Sequence, residues 1–271
     1  MTSILLHIHD DSGMESRLQA ACDIARAADA HIHCVQVTAM PNLMAAEVYG
    51  GAPMAPAVMV ELLEVDARMR TRLEQRLRRE GVRWDWRQVD GDIVHGLLSA
   101  SALCDLLIVT LPSGPRRDMS DPLHIAADLA LGGRTPVLAV PQVARGVMIT
   151  GRALVAWEGS QEASTALRLS VPLLKRAEEV HVVTVEEAGK HPFPATDAPE
   201  YLARHGIKTQ LHTWPQDGRT VEATLMAAIG VLKPDWMVMG AFGHSRLREM
   251  VFGGVTRTML REVHVPLLLA H

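Results

Sequence analysis

The sequence predicts an α/β protein built from two tandem parallel domains. Three observations carry that expectation. Short apolar runs with strand character alternate with stretches of helical apolar spacing along the whole chain. The series runs twice, first over 1–143 and again over 150–271. Near the C-terminus, glycine clusters stand at a strand end and at the following helix start.

In chain order, Ile4 to His9 reads as a strand. Glu15 to Ala28 reads as a helix, with Leu18, Ala21, Cys22 and Ala25 on one face. His31 to Val37 is a second strand, and Met40 to Pro56, rich in Met, Ala, Gly and Pro, a loop or lid. Val58 to Arg79 sets Leu62, Met69, Leu73 and Leu77 at helical spacing under a basic outer face, and Gly81 ends it. Val82 to Val89 alternates as a strand, with Val82, Trp84 and Trp86 on one face and Arg83, Asp85 and Arg87 on the other. A helix over Ile93 to Leu103, a strand over Leu106 to Thr110, a helix over Leu123 to Leu131 and a strand over Pro136 to Val140 complete the first copy.

The second copy repeats the landmarks. Ala153 to Trp157 matches the first strand and Val180 to Val185 the second. Asp217-Gly218 answers Asp90-Gly91, Pro234-Asp235 answers Cys104-Asp105, and Val265-Pro266 answers Thr135-Pro136. Gln142 to Gly151 joins the copies, and Glu186 to Gly206 holds a short helix about Pro199 to His205.

Composition narrows the class. At 271 residues and 48% apolar, the chain can bury two cores, and with only 4% aromatic residues those cores are aliphatic and methionine-filled. A net charge of −4 excludes a nucleic-acid binder that relies on phosphate neutralisation. The basic runs at Arg76, Arg78 and Arg79 and at Arg116 and Arg117 read as solvated faces. Cys22, Cys34 and Cys104 are odd in number and set in apolar surroundings, the pattern of buried thiols in a reducing compartment. Met1 to Asp10 reads as a first strand, not a signal peptide, and no run approaches the roughly 18 apolar residues of a membrane span. The expectation is a cytoplasmic protein with no membrane or nucleic-acid partner.

The most informative stretch begins with the buried strand Trp236 to Met239. Gly240 and Gly243 follow it, where the absence of a Cβ permits φ > 0 and close approach of a ligand to the main chain. Gly253, Gly254, Val255 and Thr256 then open a helix running to Val263. Unpaired amides and the positive dipole end at such a start suit a polyphosphate. No Gly-Lys-Ser/Thr is present, and no Gly-x-Gly-x-x-Gly follows a strand.

Gly240-x-x-Gly243, nine residues, then Gly253 resembles the G-2x-G-9x-G(S/T) signature of the universal stress protein family. Trp157-Glu158-Gly159-Ser160 resembles that family's first strand-to-helix turn, with Glu158 at the place of the usual Asp. The resemblance covers both copies. It implies a Rossmann-like, doubly wound parallel five-stranded sheet per copy, in strand order 3-2-1-4-5, packed as a pseudo-dimer with Val137 to Val140 beside Leu267 to Ala270. It further implies a cytoplasmic stress-response protein binding an adenine nucleotide, ATP with or without Mg²⁺, in the C-terminal domain. Gly240, Gly243, Gly253, Gly254 and Thr256 would hold phosphates, Glu158 would meet the nucleoside, and the Val185 main chain would meet adenine. Met239 and Val255 would pack nearby. Gly254 stands where the signature has Ser or Thr, and Thr256 could supply the missing hydroxyl. A homodimer is compatible with the pattern.

Aligning Gly114 with Gly243 puts Leu111 opposite Gly240 and His124 and Ile125 opposite Gly253 and Gly254. Prolines at 112 and 115 remove amide donors there, so the first copy is expected to carry a degenerate site. His7, His9, His31 and His33 invite a metal, yet strand geometry sends the two pairs to opposite ends of the sheet, and no metal is expected. Ser160 lies in no nucleophile elbow. His244, Ser245, Arg246 and Arg248 flank the glycine turn as phosphate partners or as a solvated loop. No catalytic residue stands out, and slow ATP hydrolysis is the most chemistry expected. The alternative is a nucleotide-independent interaction protein with a drifted site.

Overall fold

In the computed structural model, residues 1–38, 56–111, 122–186, 194–243 and 254–271 are described, with the side chains of 56–63 and 122–124 left aside. The expected lid before Pro56, the prolines at 112 and 115, Gly114, Arg116 and Arg117, Gly253 and the His244–Arg248 group lie outside the described residues, as does the His124 side chain.

The first half runs β1 (Ser3–Ile8), α1 (Met14–Ala28), β2 (His31–Thr38), α2 (Pro56–Glu80), β3 (Arg83–Asp90), α3 (Ile93–Ser101), β4 (Leu106–Leu111), α4 (Pro122–Gly132) and β5 (Val137–Pro141). The second runs β6 (Arg152–Ala156), α5 (Gln161–Leu174), β7 (Glu179–Glu186), α6 (Asp197–Arg204), β8 (Gln210–Pro215), α7 (Val221–Leu232), β9 (Trp236–Gly240), α8 (Gly254–Glu262) and β10 (Leu267–Ala270). All ten strands make one sheet, in the order β3-β2-β1-β4-β5-β10-β9-β6-β7-β8. Each half has the expected order 3-2-1-4-5 and is parallel throughout.

The halves meet where β5 and β10 pair antiparallel, with Leu268 opposite Leu138. The pairing expected between Val137–Val140 and Leu267–Ala270 therefore forms inside the chain and merges two sheets into one. It covers two edges that would otherwise be open to other strands. Every residue of both strands is buried. The near-continuous burial of β4, β9, β5 and β10 follows from helices on both faces. The outermost β3 keeps an alternating pattern, its Trp84 and Trp86 packed against the α1–α2 side and Arg70 stacked on the Trp86 ring at 5.5 Å.

Two aspartates mark the repeat at the lower end of the sheet. Asp105 Oδ2 accepts from the Thr2 and Ser3 amides at 2.6 and 3.1 Å, and Asp235 Oδ2 accepts from the Arg152 amide at 2.7 Å. Burial works against the charge of Asp105, but the Thr2 and Ser3 amides outweigh it and hold the carboxyl below its usual range. The cysteines are free, with Cys22 and Cys34 buried and Cys104 half-buried. Burial raises all three thiols, that of Cys22 to about 11, which leaves them in the unreactive form at neutral pH.

Candidate functional site

The upper ends of β6, β7 and β9 surround a cavity of about 280 Å³. β6 leads through Trp157 to Glu158, and Gly159 turns the chain with φ 74°. Ser160 then caps α5, its Oγ accepting from the Ala163 amide at 3.0 Å. The Ser160 hydroxyl also bonds the Glu158 carboxylate. Ala156, Val183, Val185, Leu225 and Met239 make apolar walls, and Glu158, Glu222, Gly243 and Thr256 make a more polar mouth. Of the nine residues expected in the site, Glu158, Val185, Met239, Gly240, Gly243, Val255 and Thr256 all line this one cavity. Gly254 opens α8 beside it, and Gly253 lies outside the described residues.

The described glycines serve close approach and do not use the positive φ that glycine permits. None of Gly240, Gly243 and Gly254 has φ in the left-handed region. That conformation falls on Phe242 instead, at φ 65°. The Phe242 amide donates to Thr256 Oγ1 at 3.2 Å, which ties the turn to the first coil of α8. Thr256 is thus buried with its oxygen engaged, while a hydroxyl that accepts one bond still has a proton to donate. At Gly240, a Cβ would run into the Ala163 amide nitrogen, with Glu162 C at 2.7 Å and Ala163 Cα at 2.9 Å, so β9 lies directly on the α5 start. At Gly243 the described atoms nearest to a Cβ are side-chain tips, Glu162 Oε2 at 3.0 Å and Ser160 Oγ at 3.4 Å.

Glu222 was not legible as a site residue. It sits in the first turn of α7, and its Oε1 would be 2.8 Å from a Cβ on Gly254. The signal that leads to it is Thr220 as an N-cap ahead of helically spaced Val221, Leu225 and Ala228. Its carboxylate faces the α8 N-terminus, and with Glu158 and Glu162 it makes the described part of the mouth acidic.

The corresponding strand ends of the first half carry larger, polar side chains. Leu6 pairs with Ile108 as Val155 pairs with Val238, so two residues further on Thr110, not Leu111, stands at the place of Gly240. Aligning on Gly114 misplaces the strand end by one residue, because a glycine match carries no pairing register. Thr110 packs its side chain on Gly13 at the α1 start. Arg17, with a side chain wholly out of solvent, donates from Nε to the His7 carbonyl at 2.7 Å and from Nη2 to the His9 carbonyl at 2.6 Å. Its Nη1 bonds Asp11 and Thr110. His7, 5% exposed, stacks on His9 with 5.9 Å between ring centroids.

Residues 150–271 match the sequence model of the Universal stress protein family. The C-terminal half is a universal stress protein domain. The first half of the chain repeats its fold, which makes a tandem arrangement. The whole chain resembles a universal stress protein from Archaeoglobus fulgidus DSM 4304, with a TM-score of 0.77 at 17% identity over 98% of this chain and 97% of that one. It also resembles a candidate universal stress protein from Pseudomonas aeruginosa UCBPP-PA14, with a TM-score of 0.60 at 18% identity over 100% of this chain and 93% of that one. No curated protein matches the sequence. Among the described residues, no helix of either half is long and apolar enough to cross a membrane.

Each half holds a histidine that disfavours protonation in the folded chain. Burial, then the charges of Arg17 and His9, holds His7 well below its ordinary value of 6.5, so it is neutral in the native state. Burial and then His181 lower His212 likewise. Unfolded chains bind protons at these positions as pH falls below about 6.5 while the native state does not, so acidification favours unfolding. We expect urea midpoints to be flat from pH 8 to 7 and to fall between pH 6.5 and 5. His7→Gln should reduce that slope, by up to about 1.4 kcal/mol per pH unit, with His212 leaving a remainder.

Proposed function

We propose that this is a cytoplasmic stress-response protein that binds an adenine nucleotide, ATP with or without Mg²⁺, in the cavity of its C-terminal domain and acts by binding. What supports the reading is that seven residues the family resemblance points to, drawn from four segments, line one cavity at the crevice between β6 and β9. In strand order 3-2-1-4-5 that crevice is the topological switch point, where open α/β sheets take their ligands. The base would lie between Val183, Val185, Leu225 and Met239, and the phosphates would reach the Gly243 turn and the amides of the α8 start. Among the described residues, the atoms nearest to a Cβ at Gly243 are side-chain tips of Glu162 and Ser160.

The described carboxylates set a condition on the ligand. Among the described residues, Glu222 beside Gly254 and Glu162 beside Gly243 would repel a bare polyphosphate, and a divalent cation between carboxylate and phosphate removes that repulsion. We expect ATP to bind at least tenfold more tightly with Mg²⁺ present, and Glu222→Gln to narrow that gap by about fivefold through loss of one charge. Gly243→Val should weaken the affinity by more than tenfold while leaving the melting temperature nearly unchanged. Titration calorimetry with ATP reads all three. If ATP fails to bind, or binds Gly243→Val as well as the natural chain, the site is wrong. The nucleotide-independent interaction protein then becomes the better reading.

A further inference from the structure

At the lower end of the first half, remote from the cavity, a second constellation comes together. His31 and His33, two apart on β2, share a face, and β3 brings Asp85 into register with His33. His31 Nε2 lies 2.9 Å and His33 Nδ1 2.8 Å from the same oxygen, Asp85 Oδ2. One ligand atom from each of the three side chains falls within 4.8 Å of the others. The side chains are 35%, 37% and 51% exposed, so an ion can enter from solvent. Arg83, next along the same face, is drawn away by Asp29, to whose Oδ1 it bonds at 2.9 Å.

We propose that His31, His33 and Asp85 form a binding site for a divalent transition-metal ion of the zinc type. Two imidazole nitrogens and one carboxylate oxygen are a donor set that zinc accepts, with water completing four-coordination. Tetrahedral bonds of about 2.0–2.1 Å put ligand atoms about 3.3 Å apart. The two His–Asp distances need to open by only a few tenths of an ångström to admit the ion. Both rings already point one nitrogen at a common oxygen, so the rotamers need no reversal.

The second half carries the same residue types at the corresponding edge without that convergence. His181 Nδ1 is 2.9 Å from His212 Nε2, while its other nitrogen, Nε2, is 3.2 Å from Glu179 Oε2. The imidazole lies between its partners and turns opposite atoms to them, so the three cannot surround one ion. Arg152 Nε adds a cation 2.8 Å from the same Glu179 oxygen. Glu179, His181 and His212 thus serve as an internal control.

The test is calorimetric titration of ZnCl₂ into tag-free, full-length protein stripped with EDTA, in a non-chelating buffer. We expect one saturable site per chain, weakened at least tenfold by His33→Ala and by Asp85→Asn and unchanged in His181→Ala. Metal-free melting temperatures of the variants should match the natural chain, which separates lost ligands from lost fold. His31→Gln is a milder second probe should His33→Ala melt early. Absence of saturable uptake, uptake that survives His31→Gln, His33→Ala and Asp85→Asn, or an equal loss in His181→Ala would each overturn the assignment.

Discussion

Gly240→Ala is expected to destabilise the protein by about 2–3 kcal/mol, although it adds a single methyl group. The added carbon would overlap main-chain atoms of Glu162 and Ala163, and main chain at a helix start cannot swing aside as a side-chain tip can. Relief requires β9 and the start of α5 to part, and both are buried in the second half of the sheet. Gly230 supplies the control. It lies within α7, and a Cβ there meets nothing within 4 Å. Gly230→Ala should be neutral or stabilise by up to about 1 kcal/mol, since alanine is the better helix former. Urea denaturation of the two variants gives the comparison. A loss at Gly240 no greater than about 0.5 kcal/mol would show that strand and helix are not in contact there.

Arg17→Met is expected to cost about 3 kcal/mol. Methionine keeps much of the volume and removes every donor. The His7 and His9 carbonyls then lose a charged partner, while Asp11, 34% exposed, can turn to water. Asp11→Asn should therefore cost clearly less than Arg17→Met, and the double variant should show the two effects to be coupled. Equal losses in the single variants would place the stabilisation in the ion pair, not in the carbonyl contacts. Chemical denaturation read by circular dichroism measures all three.

The two halves solve one packing problem in opposite ways. A strand end and a helix start come so close that one of the facing positions must lack a side chain. In the second half that position is Gly240 on the strand, facing the Ala163 backbone. In the first half it is Gly13 on the helix side, and the strand carries Thr110. The missing strand side chain lets β9 rest on the α5 main chain. In the first half the strand keeps Thr110, which Arg17 bonds.

Much of this was legible from residue order. Alternating strand and helix signals, the repeated Asp105 and Asp235 positions and the Gly240-to-Thr256 spacing are local or periodic, so they survive in a linear string. Trp84 and Trp86 against Arg83, Asp85 and Arg87 could be sorted by face because a strand alternates with period two. Other features depend on register and on which chain segments approach. Leu111 was matched to Gly240 because a glycine alignment does not know that Leu6 pairs with Ile108. Glu222 is distant in sequence from Gly254, and only the packing of α7 beside α8 brings its carboxylate to that helix start. Asp85 was visible as a charged strand residue, but its meeting with His31 and His33 required the pairing of β2 with β3.

By itself the sequence determined the duplicated α/β architecture and where its glycine turn lies, because both follow from hydrophobic period and backbone permissiveness. Only the tertiary arrangement merges the two sheets through β5 and β10 and brings Glu222 to the α8 start. It also sets Arg17 on the His7 and His9 carbonyls. Those outcomes turn on side chains far apart in the chain competing for the same few ångströms, a competition that no local pattern records.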